Sequence, residues 1–205
     1  DSPLSRDIGR TATALSHSLG KMKILSEALS ASSELSETPV QLADLIASVA
    51  RETESMARER RVNIHVQQID PDIYLQTDVK RIRYVLISLL VNAIRFTPTD
   101  GRVEFKVRTD ENGSTVFDIT DSGVGIAPSK VSELLNCLDQ PCSNIGANPS
   151  EGTGFGWPIA MALTRRMGGE LDLESRLGMG SRVSVVFPTE RRVHTADNGS
   201  IMATM

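Results

Sequence analysis

The chain contains no apolar run near the roughly 20 residues that a bilayer-spanning helix needs. Its opening, DSPLSRDIGR, lacks a basic start leading into a hydrophobic stretch. No membrane contact is expected within these residues. Cysteine is scarce: Cys137 and Cys142 have neither the number nor the spacing of a zinc site, and two thiols in such a chain fit a reducing compartment as free side chains. Basic charge is not in excess. Lys and Arg number 22 against 26 Asp and Glu, a net charge of −4 with both signs dispersed, which gives no field for nucleic acid. Internal repeats are missing, and none of the three histidines, His17, His65 and His194, belongs to a visible nucleophile triad.

What is present is enough apolar residue for a core. With 205 residues, 40% hydrophobic and 23% charged, the chain suits one domain plus an appendage. Leu4, Ile8, Ala12, Leu15, Leu19, Met22 and Leu29 alternate near three and four, the seam of a helix packed lengthwise on another. The serine-rich stretch SASSELSETPV ends that pattern, so residues 1–36 are expected to form a helical segment and residues 37–190 the globular domain. Within the domain, QLADLIASVARETESMARERR and VKRIRYVLISLLVNAIRFTP carry helical periodicity. VNIHVQQI, DIYLQT, GRVEFKVRT and STVFDITD read as strands, the last two joined by the turn ENG. SKVSELLN and WPIAMALTRRM read as helices, followed by strands GELDLES and SRVSVVF. The order predicts an α/β domain with one sheet and helices on one face. Residues 191–205 are polar and aperiodic and are expected to be disordered.

Three features point to a ligand. In DITDSGVGIAP a strand ends at Asp121, and Gly123 and Gly125 follow at once. A carboxylate there can accept a hydrogen bond from a ring amine, while glycines let the backbone pass close under a flat base such as adenine. The stretch GTGFG, Gly152 to Gly156, leads into a helix with Pro158 in its first turn, an arrangement that aims backbone amides at an anion. It matches neither GxGxxG nor the lysine-bearing phosphate loop. Asn92, a carboxamide in a mostly apolar helix, suits a ligand of Mg²⁺, which takes oxygen donors together with phosphate and water. Each feature also has a plainer reading: turn chemistry for the glycines, a capping role for Asp121 and Asn92.

The order of these motifs resembles a known family. VLISLLVNAIRFT looks like the asparagine box of sensor histidine kinases, DSGVGI like their first glycine box, GTGFGWPIA like their second, and MGGELDLESRLGMGS like the hairpin that follows it. The resemblance covers about residues 39–188 and extends to TDVKRIRYVL, with its aspartate before the helix. It implies the two-layer α/β sandwich shared with gyrase-type ATPases, ninety-kilodalton heat-shock chaperones and mismatch-repair ATPases, preceded here by a long helix. By resemblance Asn92 binds Mg²⁺, Asp121 holds the exocyclic amine of adenine, and Gly123, Gly125 and Ile126 shape the base pocket. Gly152, Thr153, Gly154, Phe155 and Gly156 form a hinged lid beside the phosphates of ATP. Arg95 stands at a basic position near the phosphates, Phe96 at an aromatic position, and Ser181 at a hydroxyl position that supports the aspartate.

The same resemblance implies transfer of the γ-phosphoryl group of Mg·ATP to a histidine, then signalling to a response regulator receiver domain. It also implies a homodimer through the helical segment and a cytoplasmic location, including the cytosolic part of a membrane-anchored receptor. His17, in LSHSLGKMK, lacks the surroundings of the family's acceptor. Residues 1–36 therefore read as the second helix of the dimerisation hairpin, with the acceptor expected upstream. Three departures bear on activity. Ser88 stands where these kinases have a first asparagine, a possible metal position, and where hydrolysing relatives have a glutamate, so vigorous hydrolysis is not expected. LLNCLDQP has no phenylalanine where the family often has a pair, and no Lys or Arg lies between Val131 and Gly156, although charge neutralisation carries much of phosphoryl transfer. The alternative is a degenerate nucleotide-binding scaffold with little or no kinase activity, and a chaperone-type ATPase is a third possibility.

Overall fold

The computed structural model describes residues 34–138, 155–195 and 201–203, together with Gly20 and Ser26. The helix expected over residues 4–30 lies outside the described residues except for those two, and so do His17, Cys142, Gly152, Thr153 and Gly154.

The chain enters through strand β1 (Thr38–Gln41) and turns into helix α1 (Leu42–Arg60). Leu42, Leu45, Ile46, Val49, Thr53 and Ala57 are its buried positions, recurring every three or four residues as one helical face requires. Arg61, in the left-handed region at φ 54°, ends it by returning its amide to the carbonyls of Ala57 and Arg58. Two short strands follow, β2 (Asn63–Val66) and β3 (Ile73–Thr77), and then helix α2 (Val79–Phe96). Asp78 caps α2: its Oδ1 accepts from the amides of Lys80 and Arg81, both at 3.1 Å. Ile82, Val85, Leu86, Leu89, Leu90, Ala93 and Ile94 bury the broad apolar side of α2.

Hairpin β4 (Arg102–Thr109) and β5 (Thr115–Asp121), helix α3 (Pro128–Leu135), helix α4 (Gly156–Arg166) and hairpin β6 (Glu170–Arg176) and β7 (Gly180–Phe187) complete the domain. The main sheet has the order β2-β4-β5-β7-β6, with β2 parallel to β4 and the other neighbours antiparallel. Its inner face, with Val103, Phe105, Phe117, Ile119, Leu173, Val185 and Phe187, closes on α1, α2 and α4 as one core. Phe117 and Phe187 meet edge to face at 6.2 Å.

Two expectations change. A second sheet stands beside the first, with the order β1-β3-β8-β9, where β8 is Arg192–Thr195 and β9 is Ile201–Ala203. The tail predicted to be disordered over residues 191–205 therefore contributes two strands. The reason is that β3 has an edge on each side: β1 takes one and β8 the other, and Val193 is buried by that pairing. Pro39 is tolerated in β1 because that strand lies at the sheet's outer edge.

Candidate functional site

The candidate residues gather where the C-terminal half of α2 meets the loop after β5 and the start of α4. On α2, Tyr84, Ser88 and Asn92 follow at intervals of four and share a side of the helix. Ser88 shares a hydrogen bond with Tyr84, and burial raises the phenol of Tyr84 above its ordinary value while that bond works against the shift. Asn92 lies opposite the first residue of α4, since a Cβ added at Gly156 would stand 3.9 Å from Asn92 Nδ2. The asparagine and the last glycine of GTGFG, 64 residues apart, are thus neighbours. Phe155 is half-buried just before α4.

Asp121 ends β5 half-buried. Its Oδ1 accepts from the Gly123 amide at 2.7 Å, and both the backbone and the hydroxyl of Ser181 donate to it. Burial pushes its carboxyl above the usual carboxylate range, with the bonds from Gly123 and Ser181 opposing. Behind Ser181 the polar chain continues. Ser175 Oγ lies 2.9 Å from Ser181 Oγ, donates to the Gly180 carbonyl at 2.9 Å and accepts from the Ile126 amide at 2.8 Å. Ser175 was not among the expected residues. The hairpin turn RLGMG sets Ser175 opposite Ser181 in register, and this cross-strand spacing was the signal available.

Glycine is required at several of these positions for reasons of space. A Cβ on Gly123 would lie 2.5 Å from the Phe96 carbonyl and 2.6 Å from Asp121 Oδ1. Gly125, at φ 67°, passes so near β6 that a Cβ would meet the Arg176 carbonyl at 2.0 Å, and a Cβ on Gly180 would meet the Asp121 carbonyl at 1.9 Å. The loop is also tied down by its own backbone, with Val124 donating to the Phe96 carbonyl at 3.3 Å and Gly178 donating to the Val124 carbonyl at 2.8 Å. Between the two glycines Val124 projects into solvent, so the close packing falls on Gly123 against the end of α2 and on Gly125 against β6.

Arg95 is half-buried and Phe96 is 43% exposed at the end of α2. They line a groove of about 470 Å³ together with Arg60, Arg61, Pro98 and Val124. A larger hollow of about 760 Å³ lies between α1 and β2 and touches none of these site residues. On the other flank, Trp157 Nε1 donates to the Leu134 carbonyl at 2.8 Å, fixing the first turn of α4 to the end of α3. The buried Cys137 lies in the same seam, its Sγ 3.9 Å from Met161 Sδ.

Among the described residues no cluster of His, Cys, Asp and Glu can hold a metal ion by itself. The oxygen of Asn92 fits a divalent cation whose other donors are phosphate and water. The structure thus brings together a half-buried carboxylate with amide and hydroxyl support, two closely packed glycines after it, and a carboxamide facing a helix start.

The fold around that site is the α/β sandwich of histidine kinase catalytic domains. Residues 77–191 match the model for histidine kinase-, DNA gyrase B- and HSP90-like ATPases, and the chain belongs to that family. The aerobic respiration control sensor protein ArcB of Escherichia coli (strain K12) is 29% identical over 155 residues, 75% of this chain and 20% of that protein. The cell-division control histidine kinase PdhS of Brucella anthropi is 29% identical over 195 residues, 91% of this chain and 18% of that protein. The chain thus spans about a fifth of the length of the curated relatives it matches. Full-length ShkA, solved in complex with AMPPNP, superposes with a TM-score of 0.73 and 25% identity, covering 85% of this chain and 35% of that one. Histidine kinase ThkA, solved with the response regulator protein TrrA, has the same fold, with a TM-score of 0.71 at 22% identity over 92% of this chain and 52% of that one. No helix among the described residues is long and apolar enough to cross a membrane.

Proposed function

We propose that this chain is the ATP-binding catalytic part of a two-component sensor histidine kinase. The observation that carries the reading is the half-buried Asp121 carboxylate, held by Gly123 and Ser181 beside a loop with no room for a Cβ at Gly123 or Gly125. In this reading the carboxylate also accepts from the exocyclic amine of adenine, and Gly123, Gly125 and Ile126 lie under the ring. Phe96 flanks the nucleoside. Gly152, Thr153, Gly154, Phe155 and Gly156 approach the phosphates, and Arg95 adds positive charge there. Asn92, with Ser88 as a second possible donor one turn earlier, holds Mg²⁺, which when bound draws charge from the triphosphate oxygens.

The reaction breaks the bond between the γ-phosphorus and the β,γ-bridging oxygen and forms a phosphorus–nitrogen bond to a histidine imidazole. ADP leaves, and the imidazole proton passes to solvent. The acceptor belongs to the helical region before the catalytic domain, which also forms the homodimer, and the phosphoryl group then moves to an aspartate of a response regulator receiver domain. Ser88 in place of a glutamate supports transfer over hydrolysis, because no carboxylate stands there to activate water. We assign the domain to the cytoplasm, as the cytosolic part of a receptor or as a free kinase. The lack of Lys and Arg between Val131 and Gly156 supports a second reading, a nucleotide-binding scaffold with slow chemistry.

Calorimetry with Mg·ATP tests the binding, and labelling with γ-phosphate-tagged ATP in the presence of the acceptor helices tests the reaction. The kinase reading requires both binding and an acid-labile phosphohistidine. Binding without label selects the scaffold, and absence of binding ends both.

A further inference from the structure

The polypeptide entering the domain is gripped at the end of a helix pair opposite to the candidate site. Helices α2 and α4 run antiparallel. Asn92 faces Gly156 at one end, while at the other Thr77 Oγ1, just before α2, donates to Met167 Sδ, just after α4, at 3.4 Å. At this second end three side chains take hold of residues 34–37. The Asp78 carboxylate is buried, caps α2 with Oδ1, and turns Oδ2 to the Ser36 amide at 3.1 Å. Arg81 pairs with that carboxylate and donates through Nη2 to the Glu34 carbonyl at 3.1 Å. Arg191, at the end of the 3₁₀ turn Thr189–Arg191, pairs with Glu37 and donates to the Gln76 carbonyl at 3.3 Å. It also lies on Gly168, where an added Cβ would meet its Nη2 at 3.0 Å.

None of this is needed to complete the small sheet, because β1 is already zipped to β3 over four residue pairs from Thr38 to Gln41. The grip falls on the residues just before β1, and it ties them at once to the start of α2 and the end of α4. The Glu37 and Arg191 side chains are only 26% and 23% exposed, so their attraction is less screened than that of an open surface pair.

We propose that Asp78, Arg81 and Arg191 form a clamp on residues 34–37 that orients the catalytic domain relative to the chain preceding Glu34, for phosphoryl transfer rather than for nucleotide binding. The three are positioning residues: Asp78 lies about 21 Å from Asn92 along α2 at 1.5 Å per residue. Transfer needs the γ-phosphorus within about 3–3.5 Å of the imidazole nitrogen, and a displacement of about 1 Å can cost about a hundredfold. A released linker lets the domain swivel as a body while its pocket stays intact. The transfer arm of this inference rests on the function proposed above.

The test uses Arg191→Glu, which sets like charges face to face, and the swap Glu37→Arg with Arg191→Glu, which restores an opposite pair. Glu37→Gln serves as a milder variant that opens the pair without repulsion. Three quantities are read: hydrogen exchange at the Ser36 amide, affinity for Mg·ATP, and phosphohistidine formation in the kinase with its acceptor helices. Arg191→Glu is expected to speed Ser36 exchange and to slow phosphohistidine formation, each by about tenfold or more, with Mg·ATP affinity within about twofold of wild type. Glu37→Gln moves both in the same direction by less, and the swap returns both toward wild type. Transfer that stays unchanged while Ser36 exchange rises overturns the proposal, as does a fall in nucleotide affinity that matches the fall in transfer. If the wild-type kinase forms no phosphohistidine, the proposed function falls, and the clamp is judged on Ser36 exchange and its rescue by the swap alone.

Discussion

Replacing Asp121 by asparagine separates a carboxylate that recognises adenine from one that merely closes a turn. The wild-type Oδ1 is committed to the Gly123 amide at 2.7 Å, and Ser181 donates through its backbone and hydroxyl. Asparagine keeps one acceptor for Gly123 but turns an NH₂ group toward Ser181 or toward a purine amine, donor against donor. A hydrogen bond to a charged group contributes about 1.5–3 kcal/mol, which is about a tenfold to 150-fold loss of Mg·ATP affinity. Inosine triphosphate, with a carbonyl where adenine has its amine, supplies the control. The wild type should prefer ATP over it, and Asp121→Asn should erase that preference, because its NH₂ can donate to the inosine carbonyl.

Stability should depend on pH. Burial raises the Asp121 carboxyl while Gly123 and Ser181 oppose the rise, so the folded state binds this proton more tightly than the unfolded chain does. The charged form then costs stability above the folded pKa, and the cost is relieved as pH falls through it. The melting temperature of Asp121→Asn relative to wild type should therefore rise with pH through the carboxylate range, while ATP binds far more weakly. Titration calorimetry with the two nucleotides, beside thermal melts, reads both effects. Equal losses for ATP and inosine triphosphate, or an ATP affinity within about threefold of wild type, would refute adenine recognition by this side chain.

Asn92→Ala should remove most of the magnesium dependence of ATP affinity while leaving magnesium-free binding nearly unchanged, as calorimetry with and without the metal reads directly. Gly180→Ala should lower the melting temperature and weaken ATP binding, since its φ of 86° costs an L-residue about 1–2 kcal/mol and its Cβ would strike the Asp121 carbonyl at 1.9 Å. Gly178→Ala, at φ 75° with nothing within 4 Å, should cost only the backbone part, and equal losses at both positions would rule out the clash. Asp78→Asn should destabilise at neutral pH and lose its effect in acid. Burial opposes the charge of Asp78, but the Arg81 and Ser36 amides and the Arg81 guanidinium outweigh it and hold the carboxyl below the usual range. Its contribution is therefore present above the ordinary carboxylate pKa of about 3.9 and fades as pH falls through the lower folded value. Melts of both proteins from pH 7 downward should converge, and a constant gap would contradict the assignment.

Local rules made most of the main domain legible. The three- and four-residue spacing from Leu42 to Ala57 and the apolar breadth of VLISLLVNAI mark α1 and α2 because a helix must bury one face, and the alternation in RVEFKV marks β4 because a strand must do the same. The Asp121 and Asn92 positions stood out for the opposite reason, as polar or restraint-free residues where periodicity asks for apolar ones. The features that escaped all depend on register between distant segments. RVHT forms a strand only because β3 offers an open edge more than a hundred residues earlier. Ser175 matters through its place opposite Ser181, and the second oxygen of Asp78 finds an amide 42 residues away. A sequence window shows that Asp78 can cap a helix; only the packed molecule shows the same carboxylate holding the chain's entry into the domain. Capping and holding draw on different oxygens of one group, so a mutation at Asp78 acts on α2 and on the linker together. Arg191 reaches the linker without touching the cap, and for that reason it is the residue at which interdomain geometry separates from fold stability.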